Sequence, residues 1–341
     1  MKAIRLENGE VRIRDLPVPE PVMDEARVRI SASGVCHSDL HVARGDWTGL
    51  PREGPLGHEA IGVVDALGPG AERFVGLGDR VVLGLGGLGG YWCGACEYCL
   101  SGRPRLCRQA KPLMGTFAES LCVWAPGLVP VPDELSDEEA PLGCGGLTAF
   151  GAVRKLGAHG VAPGRTVAVI GAAGGLGHYA VQIAHAFGYR VVGVDVGEER
   201  LEFVRSLGAA YVVSAEDAAS FALSELGGVD AALVFAARLA GFELGMQMLR
   251  RGGLFVAVGI PPSSEGRLEL EPWQLLLADP TIIYSVVGTV QEMRELVDLA
   301  AAGHVKTHVS RVGALSEVPA IFDELEAGKY LGRAVITELS R

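Results

Sequence analysis

The stretch Thr166–Gly188, TVAVIGAAGGLGHYAVQIAHAFG, decides the fold. A short apolar strand runs straight into a glycine-rich turn, and an amphipathic helix follows at once. Gly171, Gly174, Gly175 and Gly177, with Leu176 before the last, let the backbone approach a pyrophosphate, and the free N–H groups at the helix start favour its negative charge. The next strand, YRVVGVDV, reaches Asp195 about twenty residues further on, where a carboxylate can accept hydrogen bonds from both ribose hydroxyls. Asp195 would also repel the extra phosphate of NADP, so the expected cofactor is NAD. A glycine pattern alone would mark no more than a tight turn beside a solvated Asp; strand, turn, helix and acid in order carry much more.

Outward from this unit the same alternation continues through LEFVRSLG, AAYVVSA, DAALVFAA and GGLFVAVGI, which predicts an α/β fold with a doubly wound parallel sheet over residues 146–287. Residues 1–145 have another texture. They are rich in Gly and Pro, with short alternating segments such as ARVRISAS, EAIGVVDAL and DRVVLGL, the pattern of an irregular, mostly β domain. The N-terminal MKAIRLENGEVRIRD reads as one amphipathic strand. Residues 288–341 hold two helices, QEMRELVDLAAAG and SEVPAIFDELEAG, and a last strand RAVITEL; they do not fit a nucleotide-binding unit and are expected to return to the first domain.

Within the first domain, Cys93, Cys96, Cys99 and Cys107 lie in CGACEYCLSGRPRLC, a lobe of about residues 90–110. Two successive C-x₂-C steps and a longer return suit a closed tetrahedral zinc site, which folds a loop and leaves no coordination position open for chemistry. Disulfides fit less well, because the seven cysteines are odd in number. An iron–sulfur run usually closes with C-x₃-C-P, whereas Arg108 follows Cys107 here.

The chain has 341 residues, 49% of them hydrophobic, enough to bury a large core in two domains. Its apolar runs are broken by glycine well short of a membrane span, and its net charge of -11 argues against nucleic acid as a partner. A reduced, cytoplasmic location is expected.

Three further elements carry chemistry: Cys36-His37-Ser38-Asp39-Leu40-His41, Gly57-His58-Glu59, and Cys144 in APLGCGGLTAF. Each is weak alone, and Cys122 reads as an ordinary core cysteine. Together Cys36, His58 and Cys144 give two thiolates and one imidazole, a three-ligand zinc site with an open fourth position.

The residues GVCHSDLH, GDW, GHEAIGVV, the four-cysteine lobe, APLGC, GAAGGLGHYAVQIA, VVGT and GRAVI together resemble the zinc-dependent alcohol dehydrogenases of the medium-chain dehydrogenase/reductase superfamily, most of all the bacterial and yeast-type enzymes. The resemblance covers nearly the whole chain. It implies a GroES-like catalytic domain beside the Rossmann domain, two zinc ions per chain, NAD, and a homo-oligomer, tetramer or dimer. It assigns Cys36, His58 and Cys144 to the catalytic zinc, with Glu59 as a nearby or transient ligand and Asp39 orienting His58. Ser38 and His41 would carry the alcohol proton to water, and hydride would pass to the nicotinamide. His37 and Arg333 match positions at the cofactor pyrophosphate, Arg200 one at the adenosine ribose, and Val258 and Val287 further cofactor contacts.

Trp47 resembles an aromatic wall of the alcohol pocket. Relatives usually carry a second aromatic just after GDRV, where this chain reads VVLGLGGLGGYWC, longer and glycine-rich; either Leu85 replaces that ring, or Tyr91 and Trp92 swing in. The loop QAKPLMGTFAES is shorter than expected. The implied reaction is oxidation of short or medium primary alcohols, and the reverse reduction of aldehydes. A secondary-alcohol, polyol or aromatic-alcohol dehydrogenase is the alternative on the same scaffold, and a non-catalytic dinucleotide- or zinc-binding protein is the remote one. The zinc-free quinone reductases share the Rossmann half but lack the three ligands.

Overall fold

The computed structural model describes residues 1–50, 52–85 and 89–340. By contacts between residues the chain divides into two compact units, Met1–Leu147 with Gly288–Arg341, and Thr148–Val287.

The second unit is a six-stranded sheet in the order Tyr211–Ser214, Arg190–Asp195, Thr166–Ile170, Val229–Val234, Leu249–Ala257, Thr281–Tyr284, every neighbouring pair parallel. This is the doubly wound strand order, with the chain reversing direction across the sheet at Thr166–Ile170. Strands Thr166–Ile170 and Val229–Val234 are buried throughout, as mostly apolar strands between two helical layers must be, and the one charge in them, Asp230, accepts from the Thr166 N–H at 2.9 Å and from Arg250 Nε at 2.7 Å. The glycine turn sits at the reversal point, where the crevice outside the strand ends receives a ligand.

The first unit is antiparallel for the most part. Its long strand Glu25–Val35 pairs with Ala60–Leu67, Ser120–Trp124 and Arg333–Glu338. The C-terminal segment does return here: Arg333–Glu338 lies parallel to Val309–Ala314 and antiparallel to the end of Glu25–Val35, with Ala334 opposite Val35. That register brings Arg333 next to Cys36. The helices read in the tail run over Val290–Ala301 and Val318–Glu326.

One expectation fails. The N-terminal segment is a hairpin, Lys2–Glu7 against Glu10–Asp15, turning at Asn8-Gly9, both with positive φ. An Asn-Gly pair between alternating strands is a strong two-residue turn signal, and it outweighs the continuity of the alternation. No helix among the described residues is long and apolar enough to cross a membrane.

Candidate functional site

Cys36 caps the N-terminus of the helix His37–Arg44. Asp39, in the first turn, reaches back so that its Oδ2 accepts from the Cys36 N–H at 3.3 Å, while its Oδ1 lies 3.0 Å from the Gly57 N–H and 2.9 Å from His58 Nδ1. This fully buried carboxylate therefore ties two chain segments together and turns His58 so that Nε2 faces Cys144 Sγ at 3.3 Å. Cys144 ends the helical segment Asp137–Gly143, just before the helix Gly145–Ala158.

Cys36, His58 and Cys144 are all buried, and their donor atoms lie within 4.8 Å of one another. The Cys144 thiol, then His58 and the Arg333 charge, hold the Cys36 thiol well below its usual range despite burial. Burial pulls His58 down, but the Asp39 charge and hydrogen bond, with Cys36, raise it to about 10. A pocket that favours thiolate and positive charge at one point, built from two sulfurs and one imidazole, fits a zinc ion with an open position.

Glu59 and Arg333 are also buried there. The Arg333 guanidinium faces Glu59 Oε1 and donates to the Val35 carbonyl at 3.1 Å, and Glu59 Oε2 accepts from the Gly145 N–H at 3.3 Å. Gly34 is required at this point, since a Cβ on it would lie 2.5 Å from Glu59 Oε1. Arg333, which the resemblance assigns to the cofactor pyrophosphate, is here the counter-ion of a carboxylate.

Of the remaining residues on this helix, Ser38 Oγ lies 3.7 Å from Cys36 Sγ and His37 is exposed. His41 is not at the surface: it is 7% exposed, with Nδ1 2.7 Å from Asp46 Oδ2 and its ring 4.8 Å from that of Trp47. Asp46 escapes a reading of the sequence that stops at the hexapeptide. The signal that could have found it is Gly45 directly before it, a helix-ending glycine that turns the next side chain back.

Tyr91 and Trp92 pack edge-on against Trp124, at 5.2 and 4.3 Å between ring centroids, whereas Leu85 is buried. Residues 86–88 of the glycine-rich run lie outside the described residues. In the shorter loop, Gly115 N–H donates directly to the Gly57 carbonyl at 2.7 Å, next to His58.

The four cysteines of the lobe converge as a second set, with Sγ atoms 3.5 Å apart for Cys93 and Cys107 and 3.6 Å apart for Cys96 and Cys99. Those separations exclude disulfides. Backbone N–H groups of Cys93 and Gln109 point at Cys107 Sγ, each at 3.4 Å, and that of Cys96 at Cys93 Sγ at 3.4 Å. The Cys93 N–H lowers the Cys107 thiol, and the Cys99 N–H brings Cys96 down to about 6. Burial and the neighbouring Cys96 sulfur push the Cys99 thiol the other way, to about 12, so this sulfur needs a cation among the four to ionise; the set fits a closed zinc site.

In the second unit, Gly171 to Gly177 form the turn before the helix Gly177–Ala186, with Leu176 at its N-cap. The four glycines of the turn do not serve alike. Gly171 alone among them takes positive φ, 80°, and a Cβ on Gly177 would lie 2.0 Å from the Gly171 carbonyl, so both positions need glycine for the turn itself. Gly174 and Gly175 do not need the left-handed region. The Gly174 N–H closes the turn on the Gly171 carbonyl at 3.1 Å, and its own carbonyl accepts from the His178 N–H at 3.2 Å. Gly174, Gly175 and Leu176 are half-buried, and the two glycines leave their stretch of backbone without side-chain cover. Asp195 is buried at its strand end; Oδ2 accepts from the Ala173 N–H at 2.8 Å and Oδ1 from the Val196 N–H at 2.9 Å, with Arg200 Nη1 3.8 Å away. Each oxygen keeps a lone pair for a ribose hydroxyl. Val258 follows the strand Leu249–Ala257, and its N–H donates to the Val234 carbonyl at 3.0 Å. Val287 holds φ at 49°, a costly conformation for a β-branched residue and one that clusters at functional positions.

Residues 23–133 match the family described as Alcohol dehydrogenase GroES-like domain, and residues 175–302 the family Zinc-binding dehydrogenase. The chain is 40% identical over 347 residues to an alcohol dehydrogenase of Geobacillus stearothermophilus, covering 98% of this chain and 99% of that protein. Among solved structures it is similar to the alcohol dehydrogenase of the hyperthermophilic archaeon Aeropyrum pernix, at 32% identity and a TM-score of 0.88 over 99% of this chain and 100% of that one. A structure described as an NAD-dependent alcohol dehydrogenase matches at 30% identity and a TM-score of 0.88, over 99% of each chain.

Proposed function

As a member of the zinc-dependent alcohol dehydrogenases of the medium-chain superfamily, an enzyme using zinc and NAD, this chain, we propose, oxidises short and medium primary alcohols to aldehydes and catalyses the reverse reduction. The observation that carries the proposal is the convergence of buried Cys36, His58 and Cys144 with His58 oriented by Asp39. Cys36, His58 and Cys144 hold the catalytic zinc, and Cys93, Cys96, Cys99 and Cys107 the structural one. The bound zinc supplies a Lewis acid that makes an alcohol hydroxyl acidic near neutral pH, and NAD supplies the hydride acceptor.

The chain's own groups do the rest. Asp39 accepts from His58 Nδ1–H and keeps Nε2 directed at the Cys144 sulfur, where it would serve as a zinc ligand. Glu59, balanced by Arg333, places a second carboxylate beside the ligands without an uncompensated charge. The Ser38 hydroxyl both accepts and donates, so it takes up the proton leaving the alcohol, and His41 holds it before release to water. Asp195 and the turn Gly171, Gly174, Gly175 and Gly177 hold the adenosine half of NAD, with Arg200, Val258 and Val287 as further contacts.

The substrate range is supported by the two sides of the pocket. Trp47 offers a flat wall, and Leu85 a branched aliphatic one narrower than a ring, while Tyr91 and Trp92 are engaged with Trp124. A branched aliphatic side chain in place of a ring suits an aliphatic alcohol better than an aromatic one. Assembly into a dimer or tetramer is supported by the edge strand Thr281–Tyr284, which among the described residues pairs on one side only and exposes Ile282 and Tyr284, and by the exposed Trp273, Leu276 and Leu277 of the helix Pro272–Ala278. A reducing, cytoplasmic location is supported by seven free cysteines.

The test is NAD-linked oxidation of a panel of primary, secondary and aromatic alcohols by zinc-replete and chelator-treated enzyme. Chelator-sensitive turnover, fastest on primary aliphatic alcohols, is expected. A preference for secondary or aromatic alcohols overturns the pocket assignment, and turnover indifferent to zinc overturns the ligand assignment.

A further inference from the structure

We propose that Asp46 is a positioning residue for His41: it fixes the proton of the neutral imidazole on Nδ1 and thereby leaves Nε2 as the base that receives the alcohol proton. The inference rests on the reaction proposed above. Its structural basis is the end of the helix His37–Arg44. Gly45 adopts the left-handed conformation, φ 76°, and its N–H donates to the His41 carbonyl at 2.9 Å. The chain turns back, Asp46 N–H donates to the same carbonyl at 3.0 Å, and the Asp46 carboxylate meets His41 Nδ1 at 2.7 Å.

An ionised carboxylate only accepts, so the hydrogen in that bond belongs to Nδ1. A neutral ring then has a bare lone pair at Nε2. Nε2 is buried and has no hydrogen-bond partner among the described residues, and the Nε1–H of Trp47, whose ring lies against His41, is likewise buried and unpartnered. A buried acceptor left unsatisfied costs about 1–3 kcal/mol, which a folded protein tolerates where an incoming group completes the bond. A hydroxyl donor arriving at Nε2 is such a group.

The proton balance follows. The Ser38 hydroxyl takes the proton of the alcohol as it gives up its own, the relayed proton reaches Nε2, the ring becomes an imidazolium, and the Asp46 carboxylate offsets the new charge across the existing bond. The same proton then leaves Nε2 for water, and the hydride goes to NAD. Without Asp46 a free imidazole places its hydrogen on either nitrogen, and the molecules protonated at Nε2 are unable to accept.

Two measurements on the full enzyme test this. Nitrogen-15 NMR of histidine-labelled protein, with His41 assigned by its loss in His41→Gln, is expected to show the Nδ1–H form in the parent and an Nε2–H population in Asp46→Ala. An Nε2–H form in the parent overturns the proposal whether or not any alcohol is turned over. For kcat, Asp46→Ala is expected to lose about tenfold, the scale on which supports of a functional His act, yet less than about twofold in a His41→Gln background. An equal loss in both backgrounds means that Asp46 merely holds the Trp47 loop and overturns the proposal. If the alanine variant fails to fold, Asp46→Asn carries the same comparison, with a smaller loss that again disappears with His41. Absence of turnover in the parent would instead strike at the reaction, leaving the NMR result to decide the role of Asp46.

Discussion

Around Cys93, Cys96, Cys99 and Cys107 every sulfur comes from one short loop, the cluster is partly open to solvent, and its supports are backbone N–H groups. Around Cys36, His58 and Cys144 the donors come from three remote segments, all are buried, and the supports are charged side chains: Asp39 on His58, and Glu59 with Arg333 beside them. Backbone donors survive every substitution except proline and follow from the fold of the loop alone. Charged side chains in a dry site must be matched to one another, because each left alone costs several kcal/mol. The first arrangement suits a metal that folds its own lobe; the second suits one whose electrostatics must be tuned for reaction.

The widest gap between the two clusters is expected when one ligand is removed from each. Cys144→Ser should lower kcat by about 1000-fold or more, about 4 kcal/mol in the barrier, with the thermal midpoint nearly unmoved. Cys99→Ser should do the reverse, lowering the midpoint by roughly 6–12 °C for a loss of about 3 kcal/mol while kcat per folded molecule stays within about threefold. Calorimetry, zinc analysis and turnover on the same preparations separate them. The contrast breaks if Cys99→Ser abolishes turnover in a protein that remains folded.

A smaller effect sharpens the electrostatic half of the comparison. Arg333→Met leaves Glu59 charged, buried and, among the described residues, with the Gly145 N–H as its remaining side-chain support, which should cost about 3 kcal/mol of stability. Adding Glu59→Gln removes the orphaned charge and should restore more than half of that. Denaturant unfolding of the two variants decides it: equal losses would mean that Arg333 acts through packing and its Val35 bond, not through the ion pair.

The same contrast governs what is legible without coordinates. The lobe and the glycine turn are local, so spacing carries them: thiolates three residues apart reach one metal, and a strand, turn and helix in succession allow one topology. Even in the turn, the pattern does not tell Gly171 and Gly177, which the backbone requires, from Gly174 and Gly175, which leave their backbone without side-chain cover. Cys36, His58 and Cys144 are brought together by sheet pairing across the domain, and spacing alone gives no reason to group them; the family resemblance does. The partnership of Arg333 with Glu59 depends on the register of the last strand against Glu25–Val35. The Asn8-Gly9 hairpin is local and carries its own turn signal, but the alternation running on through it masks the turn. Asp46 depends on a single left-handed glycine reversing the chain.

The smallest expected effect is the one that shows whether metal binding, or merely being a cysteine, separates the two clusters from the rest of the chain. Cys122 sits half-buried in the strand Ser120–Trp124, opposite Arg27, and belongs to neither cluster of potential metal ligands among the described residues. Burial, with Glu25 nearby, pushes its thiol up to about 11, so it remains protonated at neutral pH and is a poor nucleophile. Cys122→Ala should therefore change stability by only about 0.5 kcal/mol, leave zinc content and kcat at the parent values, and remove no fast-reacting thiol from an alkylation time course. If it instead lowers the midpoint as far as Cys99→Ser does, then loss of a packed sulfur is enough to explain that loss, and the metal is not what holds the lobe.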